Sequence, residues 1–237
     1  MHWFGNIDVS DVEPFGSGQS LDFSDGLTMI GRGTALGKET IVKTLRQEFQ
    51  SVANGASIAD ESIPTWLAFL DIETLCHCHG GASGALASVI WSSQAFLTRR
   101  HELEGYLTRN VMAMLGSSYG RLRANVSREG KLDITDEPSG RNINAYFHAM
   151  SKQIILFLAI NQAIRELLSL DLPLVVDSLL DTLDLALLLP CFHFICGMSG
   201  QRIVIARDDV IEKLDAKPDY RIASDRVFRK SVIEKCA

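Results

Sequence analysis

Residues Pro173 to Asp184 read PLVVDSLLDTLD, and the reading of this stretch decides the fold. An apolar run closes on Asp177, and a second acidic turn, Asp181 to Asp184, follows four residues on. Short apolar runs of this kind form strands covered on both faces. Strands that end in a carboxylate are the device by which nucleotide-binding α/β proteins hold Mg²⁺ beside a phosphate. Upstream, Met150 to Leu168 reads as a long, largely buried helix, because Ile154 to Ile160 leaves few polar positions. Downstream, Leu183 to Phe194 reads as a helix open to disturbance at Pro190, and Arg202 to Ala206 as a second apolar strand running into Arg207-Asp208-Asp209. Helix, strand, helix, strand implies a parallel sheet.

Further out, residues 1–30 alternate turn signals with short apolar stretches, giving two or three strands at Ile7 to Val12, Leu21 to Phe23 and Leu27 to Ile30. A glycine-bearing loop, Gly31 to Lys38, leads into a helix over Glu39 to Val52 with apolar residues at Ile41, Val42, Leu45, Phe49 and Val52. Residues 53–64 are small and polar, as in a linker, and Trp66 to Leu75 reads as a strand leading into Cys76-His77-Cys78-His79. Ala85 to Leu115 has a helical apolar face, drawn from Leu86, Leu97, Leu103, Leu107 and Val111 among others. Tyr119 to Val126 and Lys131 to Ile134 read as a hairpin.

A chain of 237 residues, 46% hydrophobic, is long enough for one large domain or two lobes sharing a core. The apolar stretch from Leu185 to Cys196 is short for a bilayer span and contains Pro190, and MHWFGNIDVS lacks the basic and apolar regions of a signal peptide. Five cysteines without regular spacing suit a reducing compartment. A cytoplasmic protein is therefore expected, or a nuclear one if the source is eukaryotic, with no membrane partner. A net charge of −6 gives no global attraction to nucleic acid. Locally basic segments, Arg99 to Lys131 and Lys217 to Lys235, leave DNA open as a partner, although without interleaved aromatics they read as solvated faces. Cys76 to His79 sets four ligand types side by side, yet alternation along a strand presents two at a time and no second pair is evident, so it reads as loop or sheet end rather than a metal site. Cys191 and Cys196, in an apolar helix, read as packing residues.

Taken in order, the chain gives N-terminal strands, a loop ending Gly37-Lys38, a helical insertion, a hairpin, a buried helix, an acidic strand end and a final strand. This order resembles the head domain of the SMC-like branch of ABC ATPases, which includes RecF-like, RecN-like and break-repair ATPases. IDVSDVEPFGSGQSLDFSDGLTMIG resembles the family's opening strands, LTRNVMAMLGSSYGRLRANVSREGKLDITDEPSG the approach to its signature helix, and PLVVDSLLDTLD its Walker B strand and D-loop. The resemblance implies an α/β head of the P-loop type, with a mixed β-sheet, parallel core strands, antiparallel N-terminal strands and a short helical insertion. It makes residues 1–237 one head, with an N-terminal lobe at 1–52, the insertion at 53–118 and a C-terminal lobe at 119–237.

The resemblance also implies ATP and Mg²⁺ as ligands, with Gly31, Gly33, Gly37, Lys38 and Thr40 around the phosphates, and Asp177 and Thr40 on the metal. Ser151 and Asp184 would belong to the signature and D-loop, and Ser178 and Arg207 would stand at the catalytic-base and switch positions. Asp177 and the DTLD of Asp181 to Asp184 fit the family, while the sequence departs from it at four other elements. Arg32 occupies a phosphate-loop glycine position and Glu39 the metal-binding hydroxyl position, so a carboxylate would face the polyphosphate. Ser178 replaces the catalytic glutamate, Met150 a glycine that lets backbone approach phosphate, and Arg207 a histidine. In His148-Ala149-Met150-Ser151-Lys152-Gln153, Lys152 and Gln153 keep the signature register.

Losing several such groups removes most of the rate enhancement of phosphoryl transfer. The expectation is thus a degenerate head acting as a regulatory or structural subunit in DNA maintenance or defence against foreign DNA. It would work as a homodimer, or as a heterodimer with another ATPase head or partner protein. The alternatives are an active but divergent Mg-ATPase using Lys38, Thr40 and Asp177, and a DNA-binding adaptor that never sees nucleotide.

Overall fold

A computed structural model describes residues 3–10, 12–33, 37–55, 64–78, 81–90, 96, 98–116, 120–225 and 230–236. Loop residues 34–36, most of the expected linker (56–63), His79, Leu97, Tyr119, Arg226 and Arg229 lie outside the described residues. The chain divides into two compact units whose segments interleave along the sequence. One takes residues 1–69, 172–181 and 199–237, the other 70–171 and 182–198.

The first unit is built on strands β3 (Leu27–Arg32), β8 (Leu174–Asp177), β9 (Arg202–Arg207), β10 (Tyr220–Asp225) and β11 (Lys230–Lys235). With β4 (Phe69–Asp71), which runs across the boundary between units, they form a six-stranded sheet in the order β11-β10-β3-β9-β8-β4. Leu27 to Arg32 pairs in parallel with Arg202 to Arg207, and Leu174 to Asp177 pairs in parallel with Arg202 to Ile205. Leu174, Val175, Val176 and Asp177 are all buried, as a strand covered on both faces requires. Strands β10 and β11 make an antiparallel hairpin at one edge. The parallel core read from the sequence is present; the β10–β11 pair is not apparent there, because Tyr220 to Lys235 carries many charges. Strands β1 (Asn6–Asp8) and β2 (Ser20–Asp22) form a separate antiparallel pair.

Helix α1 (Lys38–Gly55) buries Ile41, Val42, Leu45 and Phe49. The Phe49 ring packs 5.3 Å from Trp3 and 5.6 Å from Phe69, centroid to centroid. Buried Gln201, beside the start of β9, accepts the Phe4 N–H at 2.8 Å and donates to the carbonyls of Phe4 and Ser24 at 2.8 and 3.0 Å. It thereby satisfies main-chain groups of the N-terminal segment that burial would otherwise strand.

The second unit holds helices α2 (Ile72–His77), α3 (Gly81–Ile90), α4 (Arg100–Leu115), α5 (Met150–Leu167) and α6 (Leu185–Gly197), with a three-stranded antiparallel sheet of β5 (Leu122–Val126), β6 (Leu132–Asp136) and β7 (Arg141–Asn142). Ile154 to Ile160 of α5 is buried throughout, as the run of apolar residues predicts. The outer edge of β5 is closed by α4: Ala124 N–H donates to Thr108 Oγ1 and Val126 N–H to Glu104 Oε1, each at 2.9 Å.

Two local expectations are corrected, and one helix stands where the sequence suggested no element. Trp66 to Leu75 is a 3₁₀ turn (Thr65–Leu67), the short strand β4 and helix α2, so Cys76 and His77 stand on a helix rather than a strand. The physical reason is Asp71, whose carboxylate caps α2 by accepting the Thr74 N–H at 2.5 Å. Helix α6 continues through Pro190. The proline lies in its second turn, where one main-chain bond is lost, and burial of Leu187, Leu188, Cys191, Phe192 and Ile195 offsets that loss. Finally, residues 208–213 after β9 form a one-and-a-half-turn helix, α7 (Asp208–Lys213).

Candidate functional site

Asp177 ends β8 and is buried, at 8% exposure. Both its oxygens are engaged. Oδ1 accepts the Ser178 hydroxyl at 2.8 Å, and Oδ2 lies 3.1 Å from Nζ of Lys38, the first residue of α1. Ser178 has a left-handed backbone with φ 58°, which turns the chain at the strand end, while its N–H donates to Ile205 O at 2.9 Å. Parallel pairing of β8, β9 and β3 brings three strand ends together. From the last residue of β3, Arg32 reaches across them: Nη2 donates to Ser178 Oγ at 3.2 Å and to Asp181 Oδ2 at 2.6 Å. The other Asp181 oxygen accepts the Arg207 N–H at 2.9 Å. Two cations thus face two carboxylates in a closed set of charge-assisted bonds.

Other expected residues hold different positions. Thr40 donates its hydroxyl to Glu13 O at 2.9 Å, and Glu39, with 77% of its side chain exposed, lies 3.7 Å from Lys38. The Arg207 guanidinium pairs with Asp209 at 3.2 Å, so its main chain rather than its side chain joins the network. Gly31 makes room for an acid: a Cβ there would stand 2.5 Å from Asp208 Oδ1. A Cβ at Gly33 would lie 3.8 Å from the other oxygen of the same carboxylate. At Gly37, φ is +120° and a Cβ would meet the Phe15 ring at 2.6 Å.

Within the second unit, Ser151 is half-buried in the first turn of α5, whose N-cap, Ala149, supplies no side-chain bond. Lys152 lies 4.9 Å over the Tyr146 ring. Gln153 accepts the Ala82 N–H at 3.0 Å and donates to Phe147 O, a packing role that ties the starts of α3 and α5. A cleft of about 370 Å³ opens there, lined by Cys76, Cys78, Gly81, His148, Met150 and Gln153. Burial pushes the Cys78 thiol up. Asp184 is the N-cap of α6, accepting the Leu187 N–H at 3.0 Å.

As arranged, these donors do not suit Mg²⁺. The Asp177 carboxylate already has an ammonium and a hydroxyl on its oxygens, and the Thr40 hydroxyl is given to a carbonyl. No group of three or more His, Cys, Asp or Glu able to hold a metal occurs among the described residues, Cys76 to Cys78 included. No helix is long and apolar enough to cross a membrane among those residues.

Sequence reasoning put its weight on Asp184 in the DTLD turn, whereas geometry gives the central part to Asp181. Arg32 likewise reads from sequence only as a missing glycine. The available signal was the opposite charge of Arg32 and Asp181, but their 149-residue separation hides the contact until the sheet order is known.

Comparison with solved structures places this architecture. The chain superposes on an SMC head bound to the C-winged helix domain of ScpA with a TM-score of 0.64, at 14% identity over 94% of each chain. It superposes on the SMC head domain from Thermotoga maritima with a TM-score of 0.53, at 12% identity over 98% of each. The fold is therefore that of an SMC-like head. No protein-family model matches the chain, and no curated protein does.

Proposed function

We propose that this chain is a degenerate SMC-like head that acts by association, as a regulatory or structural subunit in DNA maintenance or defence against foreign DNA, rather than as a working ATPase. The observation that carries the reading is the charge balance at the strand ends. Lys38 and Arg32 are matched by Asp177 and Asp181 at 3.1 and 2.6 Å. A polyphosphate entering this site would have to break both pairs and would then face two partly buried carboxylates. Ser178, at the expected base position, spends its hydroxyl proton on Asp177, and a neutral hydroxyl is a poor general base.

Association fits the fold's other known setting, since the similar SMC head is seen bound to a winged-helix domain. In the resembling family, heads pair across ATP, so a head that cannot turn over is suited to modulate an active partner. The active but divergent Mg-ATPase keeps one observation in its favour: the lysine opening α1 stands beside the strand-end aspartate, as in a working phosphate site. Turnover of Mg-ATP by the purified chain, measured with the Asp177→Asn variant, separates the two. The degenerate reading expects no phosphate release above the variant's level. Hydrolysis that is lost in a folded Asp177→Asn protein overturns it.

A further inference from the structure

We infer that Arg32 is a built-in substitute for a bound ligand: it clamps the ends of β3, β8 and β9 into one conformation with no nucleotide present, and shuts the phosphate site by doing so. This rests on the degenerate-head reading and adds the device that enforces it. The geometry is specific to this side chain. One guanidinium nitrogen spans from β3 past β9 to Ser178 Oγ and Asp181 Oδ2, 146 and 149 residues along the chain. Asp181 completes the clamp by accepting the main-chain N–H of Arg207 at the end of β9. Its side chain is 8% exposed and that of Arg32 24%, so water competes little for the bond between these two side chains.

The clamp also fixes a conformation that is unfavourable on its own. Ser178 is a non-glycine residue at φ 58°, and the Arg32 bond to its hydroxyl, with that hydroxyl's own bond to Asp177, holds the turn. Arg32 Nε is buried and lacks a hydrogen-bond partner among the described residues. Burying that N–H unpaired carries a cost, and the two contacts of Nη2 offset it. In ligand-gated sites such strand-end loops are ordered by the ligand's phosphates and metal. Here an internal cation supplies the charge, so the loop is set constitutively and an incoming anion must displace it.

The test is amide hydrogen exchange, residue by residue, on the full chain and on Arg32→Gln and Arg32→Lys. In the ligand-free wild type, the amides of Ser178, Asp181 and Arg207 are expected to be protected. In Arg32→Gln the Asp181 and Arg207 amides should exchange roughly tenfold faster or more, the scale of one lost charge-assisted hydrogen bond, with strands β8 and β9 unchanged. Arg32→Lys, which keeps the charge but carries it on a shorter, more strongly hydrated head, should fall between. A second arm adds inorganic pyrophosphate, which is expected to slow exchange at these amides in Arg32→Gln and to leave the wild type unaffected. Unchanged exchange in both variants overturns the clamp while leaving the absence of turnover untouched. Equal pyrophosphate protection in wild type and Arg32→Gln overturns the claim that Arg32 shuts the site. If Arg32→Gln fails to fold, Arg32→Lys with Asp181→Asn gives the same comparison, because Asn keeps an acceptor for the Arg207 N–H and loses the charge.

Discussion

Replacing Lys38 by methionine tests whether the Lys38–Asp177 pair is a structural bond or a lysine held ready for phosphate. The side chains are 20% and 11% exposed, with Nζ 3.1 Å from Oδ2. Lys38→Met leaves the Asp177 carboxylate buried with the Ser178 hydroxyl as its remaining side-chain partner at this end of the strand. Removing one member of a fully buried pair costs about 3–5 kcal/mol, and residual exposure lowers this to about 2–3 kcal/mol. The reverse change, Asp177→Asn, is milder at about 1 kcal/mol, because the lysine stem can carry its ammonium to water. The double variant should then cost about 1–2 kcal/mol rather than the sum, a coupling of about 2 kcal/mol. Urea denaturation with an unchanged slope reads all three. Additive single effects, or a neutral Lys38→Met, would refute a structural pair. A neutral result is what a lysine reserved for a ligand gives.

Gly37→Ala meets the Phe15 ring at 2.6 Å and a φ of +120°, whereas Gly31→Ala meets a carboxylate oxygen at 2.5 Å that can swing away; thermal denaturation should show the first to be the more damaging, by about 1–2 kcal/mol. Gln201→Leu strands the main-chain groups of Phe4 and Ser24 that the amide now satisfies, and should cost about 2–4 kcal/mol in the same assay. Burial pushes the Cys191 thiol from 9.0 up to about 12. Since its folded value is the higher one, the stability it contributes is complete below the unfolded value and is lost as pH climbs through the window between the two. Alkylation at about pH 8 should label exposed Cys76 in the native chain and Cys191 only on unfolding, as mass spectrometry of the digested protein would show.

The parallel core was legible because its signals are local. Leu174 to Asp177 and Arg202 to Arg207 are apolar runs, and α5 carries a continuous buried face. The strand end at Asp177 followed from the same run. What escaped is non-local. A capping aspartate, Asp71, converts the segment after β4 to helix, a balance between two short-range preferences that periodicity does not resolve. Charged hairpin strands such as β11 gain their place from pairing with β10 rather than from an apolar pattern. The clamp is the clearest case. Arg32, the Ser178–Asp181 turn and the Arg207 amide lie on three separate stretches, and their meeting depends on the order β3-β9-β8. The family resemblance marks Arg32 and Ser178 as losses, while in the folded chain they bond to each other.

The central claim is that the strand-end site is satisfied by its own side chains. Calorimetric titration of ATP into the purified chain, with Mg²⁺ and again with a chelator, tests it most directly. No saturable binding tighter than about 1 mM is expected in either condition. Micromolar, Mg²⁺-dependent binding of ATP that disappears in Asp177→Asn would contradict it.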